Sequence, residues 1–366
     1  VTPATSSPGA GGGAPGTTVS DADLLEDELQ CVIAEKERKA EEAAERAAAA
    51  AAAAADAAAD EPADDDDGEG GGFSLFSFVP SAPPEPEAEE KEVEPKRFTD
   101  CRGAQWCLSS RMLGSGAFGN VFLGMGSEGQ MVAIKAIKIS VKSKEECKNV
   151  IKEIRLLGRL KSDRIVQYMA SAVVGSFLMI VMEAVGGGSL LGVTQQYARL
   201  PQKLIVTYLR DCLGGVRTLH SNGIVHRDIK PHNVLITEQG RCKLADFGTA
   251  CHVSYATASE KSGDITGTVI YMAPEACDGM LHVRSDVWST GIMAYQLAMK
   301  ALPYHHNDLT MPYAILSKLG KRDPKVFKPN TDDAPEWLKP LIDRALEFDP
   351  DLRPSAGDLL RQPPLT

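Results

Sequence analysis

The chain has 366 residues, with 39 Lys and Arg against 50 Asp and Glu, for a formal net charge of −11. Such a length holds two or three ordinary domains or one large two-lobed one. The charge is uneven: residues 1–100 carry 25 acidic and 7 basic side chains, which leaves 25 acidic and 32 basic on the remaining body.

A mildly basic body suits an anionic ligand such as a nucleotide, but its charge is too slight and scattered for a nucleic-acid interface. No run reaches the ~18 apolar residues needed to cross a bilayer. Eight cysteines without a C-x-x-C pair argue against a zinc cluster or a disulfide framework, so a reducing, cytoplasmic setting is expected. The opening "VTPATSSPGAGGG" lacks the basic and apolar regions of a signal peptide, and its first residue is Val, as in a fragment of a longer chain.

In chain order, residues 1–20 are rich in Gly, Pro, Ser and Thr and are expected to be disordered. Residues 21–60 are rich in Ala, Glu and Lys and predict an exposed helix. Its short stripe of Leu25, Leu29, Val32 and Ile33 ends too soon for a coiled coil, and is either a docking face for a partner or one side of a solvated helix. Residues 61–97 are Pro- and acid-rich, with "FSLFSFV" at 73–79 as an apolar island that is either a docking motif or a local accident. From Trp106 the texture is globular. "QMVAIKAIKI" (130–139) reads as an alternating strand, 144–160 as a helix, "FLMIVMEAV" (177–185) as a buried strand and 204–220 as a helix. A loop-rich stretch to about 280 precedes helical segments near 284–299, 335–348 and 355–361. Strands first and helices later predict an α+β arrangement, with a small β lobe joined to a larger helical one.

"LGSGAFGNVFLG" (113–124) contains G-x-G-x-x-G at Gly114, Gly116 and Gly119. Alone, it fits a dinucleotide-binding turn, a lid over the phosphates of ATP or a turn without ligand. Asn120, Val121, Phe122 and Leu123 are β-type, so no helix N-terminus follows to hold a pyrophosphate, and a phosphate flap is favoured. Lys135 ends "VAIK" on the neighbouring strand, where a cation can hold the phosphates, and Glu153 lies one helix away, either the carboxylate that fixes that lysine or a helix-surface acid. "HRDIKPHN" (226–233) places Asp228, which can orient a hydroxyl and take its proton, five residues before Asn233, whose carbonyl oxygen suits Mg²⁺. "DFG" (246–248) adds a second carboxylate for metal and phosphate, and "APE" (273–275) closes a polar loop.

In this order and spacing the five motifs identify the chain as similar to the eukaryotic protein kinase family, over about 106–363. The resemblance implies a two-lobed fold, with an N-lobe at 106–183 and a C-lobe at 187–363 preceded by an acidic tail at 1–97. It implies ATP and Mg²⁺ as cofactors and protein substrates. Carried over by position, Leu113, Gly114, Gly116, Gly119 and Val121 lid the nucleotide, with Phe118 excluding water at the tip. Ala133 and Val121 cover the adenine, Met182 backs the pocket, and 183–185, including Glu183 and Val185, form the hinge. Lys135 and Glu153 form the ion pair, Asp228 is the catalytic base, and Asn233 and Asp246 hold the metal. His226 braces the catalytic loop, Asp286 ties that loop to a buried helix, and Glu275 with Arg353 forms a buried ion pair.

Lys230 matches the Ser/Thr pattern, and Thr268 fits the residue that holds Asp228 and Lys230. "GGGSLL", "EIRLLGRL" and "GTVIYMAPE" look most like the sterile-type group, the MAP kinase cascade kinases. Tyr271 stands where many of that group have Trp, which keeps the dual-specificity MAP kinase kinases as an alternative. A non-catalytic scaffold would lack Lys135, Asp228 or Asp246, and all are present.

Asp264 occupies the loop position where many related kinases carry a phosphothreonine that pairs with an Arg such as Arg227. Either it supplies part of that charge permanently, or it is a solvated acid and control lies with Ser262 or Thr266. On the first reading, phosphatase-treated protein loses basal activity on Asp264→Ala; equal basal rates leave only the second.

Overall fold

The computed structural model describes residues 34, 37–38, 41–49, 51, 96–100, 102–116, 119–139, 154, 158, 160–252, 267–304, 312–325 and 328–366. Expectations placed on Phe118, Glu153, Asp264, the island at 73–79 and most of the tail lie outside them. Within the tail, residues 41–49 are helical, and Arg38 Nη1 meets Glu42 Oε1 at 2.5 Å across one helical turn.

Six antiparallel strands form the first lobe, in the order β1-β2-β3-β4-β6-β5: β1 (Arg97–Thr99), β2 (Gln105–Gly116), β3 (Gly119–Gly126), β4 (Met131–Lys138), β5 (Tyr168–Val174) and β6 (Phe177–Glu183). The sheet therefore begins at Arg97, nine residues before the expected start at Trp106. A three-residue strand in an acid-rich setting is too short to show a period. Asp100 secures it. One carboxylate oxygen accepts the Arg102 and Ala104 N–H groups, each at 2.9 Å, and the other accepts the indole N–H of buried Trp106 at 2.9 Å. Phe98 stands opposite Trp106 across the β1–β2 ladder.

The strand expected over 130–139 is β4, but its burial does not alternate: Val132 to Ala136 are all buried. The ladder explains it. Val132, Ile134 and Ala136 share one face with Val181, Met179, Ala170 and Trp106. Ala133, Lys135 and Ile137 share the other with Met182, Ile180 and Leu178, which pack with Ile139 and Ile154. Both faces are covered, so the strand reads as a continuous apolar run interrupted only by Lys135.

The second lobe is mainly helical: α1 (Leu190–Gln196), α2 (Gln202–Ser221), α3 (Ser285–Met299), α4 (Pro312–Leu319), α5 (Lys339–Ala345) and α6 (Ala356–Leu360). It also holds two short antiparallel pairs, β8 (Val234–Ile236) with β9 (Cys242–Leu244) and β7 (Ile224–Val225) with β10 (Cys251–His252). α3 is buried nearly all round and lies inside one continuous core with α2, α5 and α6. α1 and α4, of seven and eight residues, escaped the sequence reading because each offers barely two turns of periodicity. The helix expected over 335–348 is only α5, which starts where Pro340 can sit in the first turn. Ser355 and Asp358 form a capping box for α6, and the packed body continues to buried Leu365, past the expected 363.

Asp100→Ala strips three N–H donors of their acceptor. It is expected to lower the unfolding free energy by about 1–3 kcal/mol, read from the shift in a urea melt.

Candidate active site

The glycine stretch is a β-hairpin, as its β-type flank required. Gly114 pairs with Val121, Ser115 with Asn120 and Gly116 with Gly119. Gly119 has φ +124°, and a Cβ there would lie 2.2 Å from the Ala136 carbonyl oxygen, so only glycine lets β3 pass this close to β4. Register then sets what faces the cleft. Val121 lies opposite Lys135, Leu123 opposite Ala133 and Ala133 opposite Met182, so Val121, Ala133, Lys135 and Met182 share a face. Leu113 is exposed at the hairpin, and Glu183 and Val185 are half-buried where the chain leaves β6 for the second lobe.

Opposite this face lies the loop at 226–233. It is held from below by Asp286, a fully buried carboxylate at the start of α3. Asp286 accepts the His226 N–H and the Arg227 N–H, each at 2.9 Å, and lies 2.8 Å from His220 Nε2. Burial alone would raise its pKa, but the His220 hydrogen bond and the nearby histidines outweigh burial and hold the group below its ordinary value. Collecting two consecutive N–H groups on one carboxylate bends the chain, and Arg227 takes the left-handed φ of 68°. His226 Nδ1 accepts the Asp228 N–H at 3.4 Å, and its Nε2 lies 3.2 Å from the Ala245 carbonyl. Both ring nitrogens are used, so His226 braces the loop.

That brace aims Asp228. Its Oδ2 lies 2.7 Å from Lys230 Nζ and 2.9 Å from Asn233 Nδ2, and its Oδ1 accepts the Thr268 N–H at 2.9 Å. Lys230 Nζ also donates to Thr268 Oγ1 at 2.7 Å. Desolvation would raise the Asp228 pKa, but hydrogen bonds from Lys230 and Thr268 prevail and keep it below the usual carboxylate value. Asp228 is therefore ionised at neutral pH and suited to accept a hydrogen bond from a hydroxyl and orient it. Gly267, at φ +108°, lets the neighbouring segment close over the loop, because a Cβ there would lie 2.4 Å from the Arg227 carbonyl oxygen.

Asp246 reaches across from the end of β9. It also has a left-handed φ, 59°, and its Oδ1 lies 3.2 Å from Lys135 Nζ. Lys135 is thus brought to a carboxylate, and Glu153, its expected partner, lies outside the described residues. Asn233 Nδ2 donates to the Asp228 carbonyl at 3.0 Å as well as to its carboxylate, which turns the amide oxygen the other way, toward His232. An amide oxygen and a half-exposed carboxylate form a hard, two-donor set. It fits Mg²⁺, which keeps several waters and substrate phosphates among its ligands. No group of three or more His, Cys, Asp or Glu suited to a metal occurs among the described residues.

Below the site, Glu275 and Arg353 meet through two contacts, 2.6 and 3.0 Å, with Ser285 Oγ donating to Glu275 at 2.7 Å. Both charges are at most 1% exposed. Burial pushes the Glu275 pKa up, yet Arg353 outweighs it and the net shift is downward.

Residues 108–365 match the family model for the protein kinase domain. The chain belongs to the protein kinase family. The α+β, two-lobed architecture expected from its motifs is the one observed. The kinase is 33% identical over 287 residues to the mitogen-activated protein kinase kinase kinase YODA of Arabidopsis thaliana, covering 77% of this chain and 31% of that protein. It is 32% identical over 300 residues to mitogen-activated protein kinase kinase kinase 3 of the same plant, with 80% and 44% covered. A probable serine/threonine-protein kinase of Dictyostelium discoideum is 34% identical over 253 residues, with 69% and 49% covered. The chain thus spans less than half the length of each of these relatives. No described helix of this kinase is long and apolar enough to cross a membrane.

Two supporting residues escaped the sequence reading. His220 lies on α2, six residues before His226, and Thr249 donates to the His226 carbonyl at 2.9 Å while its own carbonyl accepts from Arg227 Nε. His220 reads as one more polar position on an amphipathic helix, and Thr249 as one more loop residue.

Glu275 is depressed in the fold, so its contribution is complete above the unfolded value of ~4.3 and is lost as pH falls through the folded value. Arg353→Met leaves that carboxylate buried and unpaired, and is expected to cost about 3–5 kcal/mol at neutral pH. The gap to wild type should narrow below about pH 4, where the orphaned group takes a proton without penalty. Urea melts of both proteins at the two pH values check it.

Proposed function

We propose that this kinase transfers the γ-phosphoryl group of ATP to Ser or Thr hydroxyls of protein substrates, within a MAP kinase-type cascade. The Asp228–Lys230–Thr268 cluster carries the reading, with Lys230 Nζ 2.7 Å from both Asp228 Oδ2 and Thr268 Oγ1. Asp228 aims the acceptor hydroxyl and receives its proton, while Lys230 sits beside the transferred group and offsets developing charge. Lys135 holds the phosphates from the sheet side, and Asn233 and Asp246 would hold Mg²⁺, which would supply neutralisation of phosphate charge when bound. Val121, Ala133 and Met182 offer an apolar slot for the base, and the backbone of 183–185 offers it hydrogen bonds. Positioning and electrostatics then supply the rate, with no covalent intermediate on the protein.

The placement in a cascade rests on the similarity to two MAP kinase kinase kinases over four-fifths or nearly so of this chain. The acidic segment before Arg97 is read as an extension that docks partners or regulates the kinase domain.

Lys135→Met and Asp246→Asn are each expected to cut phosphoryl transfer to a basic model protein by at least about 100-fold, with unfolding midpoints close to wild type. Near-normal transfer by either variant refutes the assignment.

A further inference from the structure

Lys243 lies outside the site described above, yet among the described residues it makes a short side-chain connection between the two lobes, tighter than that of Lys135 with Asp246. It sits on β9, opposite Leu235 of β8. Its Nζ contacts both carboxylate oxygens of Glu183, at 2.6 and 2.8 Å. Glu183 is the last residue of β6, where the chain turns into the hinge. The Lys243 side chain is 13% exposed and that of Glu183 31%. This is unlike an ordinary surface pair such as Arg361 with Asp358, at 72% and 45%, of the kind that contributes little.

The carboxylate has a further attachment. Glu183 Oε2 accepts the Gln167 N–H at 3.2 Å, and the Glu183 N–H donates to the Gln167 carbonyl at 2.9 Å. The segment before Gln167 is bonded in turn to β9: Val166 N–H to the Leu244 carbonyl and Leu244 N–H to the Arg164 carbonyl, each at 2.9 Å. Beyond the hinge, the Gly187 N–H donates to the Ile236 carbonyl and the Ile236 N–H to the Gly188 carbonyl. Residues 184–186 are therefore bracketed by two attachments to the β8–β9 pair, one through Lys243 and one through Ile236. β9 ends at Leu244, and two residues further along the chain lies Asp246.

We propose that Lys243 is a positioning residue for the nucleotide: through Glu183 it locks the hinge to the strand that leads into Asp246. The distance between the base-binding backbone and the phosphate-binding carboxylate is thereby set before ligand arrives. The inference rests on the ATP-dependent reading above. Without the lock, a nucleotide must order the hinge as it binds, which weakens affinity. The Asp228–Lys230–Thr268 cluster makes none of these contacts, so the chemical step is largely spared.

The test measures ADP binding by calorimetry with Mg²⁺, and KM and kcat for ATP, on the full chain. Lys243→Met should weaken ADP and raise KM by about tenfold, equivalent to ~1.4 kcal/mol, with kcat within about threefold. Lys243→Arg, which keeps the charge and both contacts, should restore affinity. Lys243→Gln, which keeps the buried stem and removes the charge, should behave like Lys243→Met and serves if that variant does not fold. Unchanged ADP affinity in the Met and Gln variants overturns the proposal, as does a loss that Arg fails to restore. Wild-type protein that neither binds ADP nor transfers phosphate sinks the functional reading along with it, whereas active wild type with unaffected variants sinks only the role of Lys243.

Discussion

A single buried carboxylate organises the catalytic half of this molecule. Asp286 is inside the largest helical core, without solvent, and an isolated charge there would be untenable. It is held ionised by gathering donors: two successive backbone N–H groups and a histidine. The arrangement has a geometric consequence. Two adjacent N–H groups can converge on one carboxylate only if the chain bends sharply, and the bend is the left-handed Arg227. Asp228, the next residue, is thrown upward into the cleft. The strain at Arg227 is offset by the electrostatics of Asp286, so the direction of the Asp228 carboxylate is decided from beneath.

From that loop the constraint spreads to the neighbouring strand. His226 joins the loop to Ala245, one residue before Asp246, and its ring lies 4.9 Å from that of Phe247. Thr249 closes the connection by bonding back to the His226 carbonyl. Asp228 and Asp246 are therefore coupled through backbone and ring contacts, with no direct bond between their side chains. Asp246 in turn faces Lys135 across the cleft. The sheet contributes by register alone: because β4 pairs with β3 on one side and β6 on the other, Lys135, Val121, Ala133 and Met182 cannot avoid sharing a face.

Beneath the cleft, Glu275 and Arg353 show the same solution in another form. Two fully buried charges 78 residues apart are reconciled by a two-point contact, a serine hydroxyl and backbone carbonyls. Such a pair adds less to net stability than its short distances suggest, since desolvation opposes it. Its effect is to fix where the segment ending in Glu275 must return, and so where Gly267 and Thr268 meet Asp228.

The residue types and their spacing were enough to single out the candidate groups. A glycine hairpin followed by β-type residues, a strand lysine, an Asp–Asn pair five apart and a later Asp each state a chemical capability locally. Long elements with sustained periodicity, such as α2 and β6, were legible for the same reason. What the linear order left open needed partners distant in sequence. β1 exists because Asp100 and Trp106 stabilise it, α1 and α4 because packing supports helices too short to announce themselves, and the five-residue buried run of β4 because both its faces are covered. The chemistry at each position was set by the side chain itself. Its aim, its ionisation and its neighbours were set by contacts between segments far apart in sequence, such as Lys135 with Asp246, 111 residues away, which only the folded chain brings within hydrogen-bonding range.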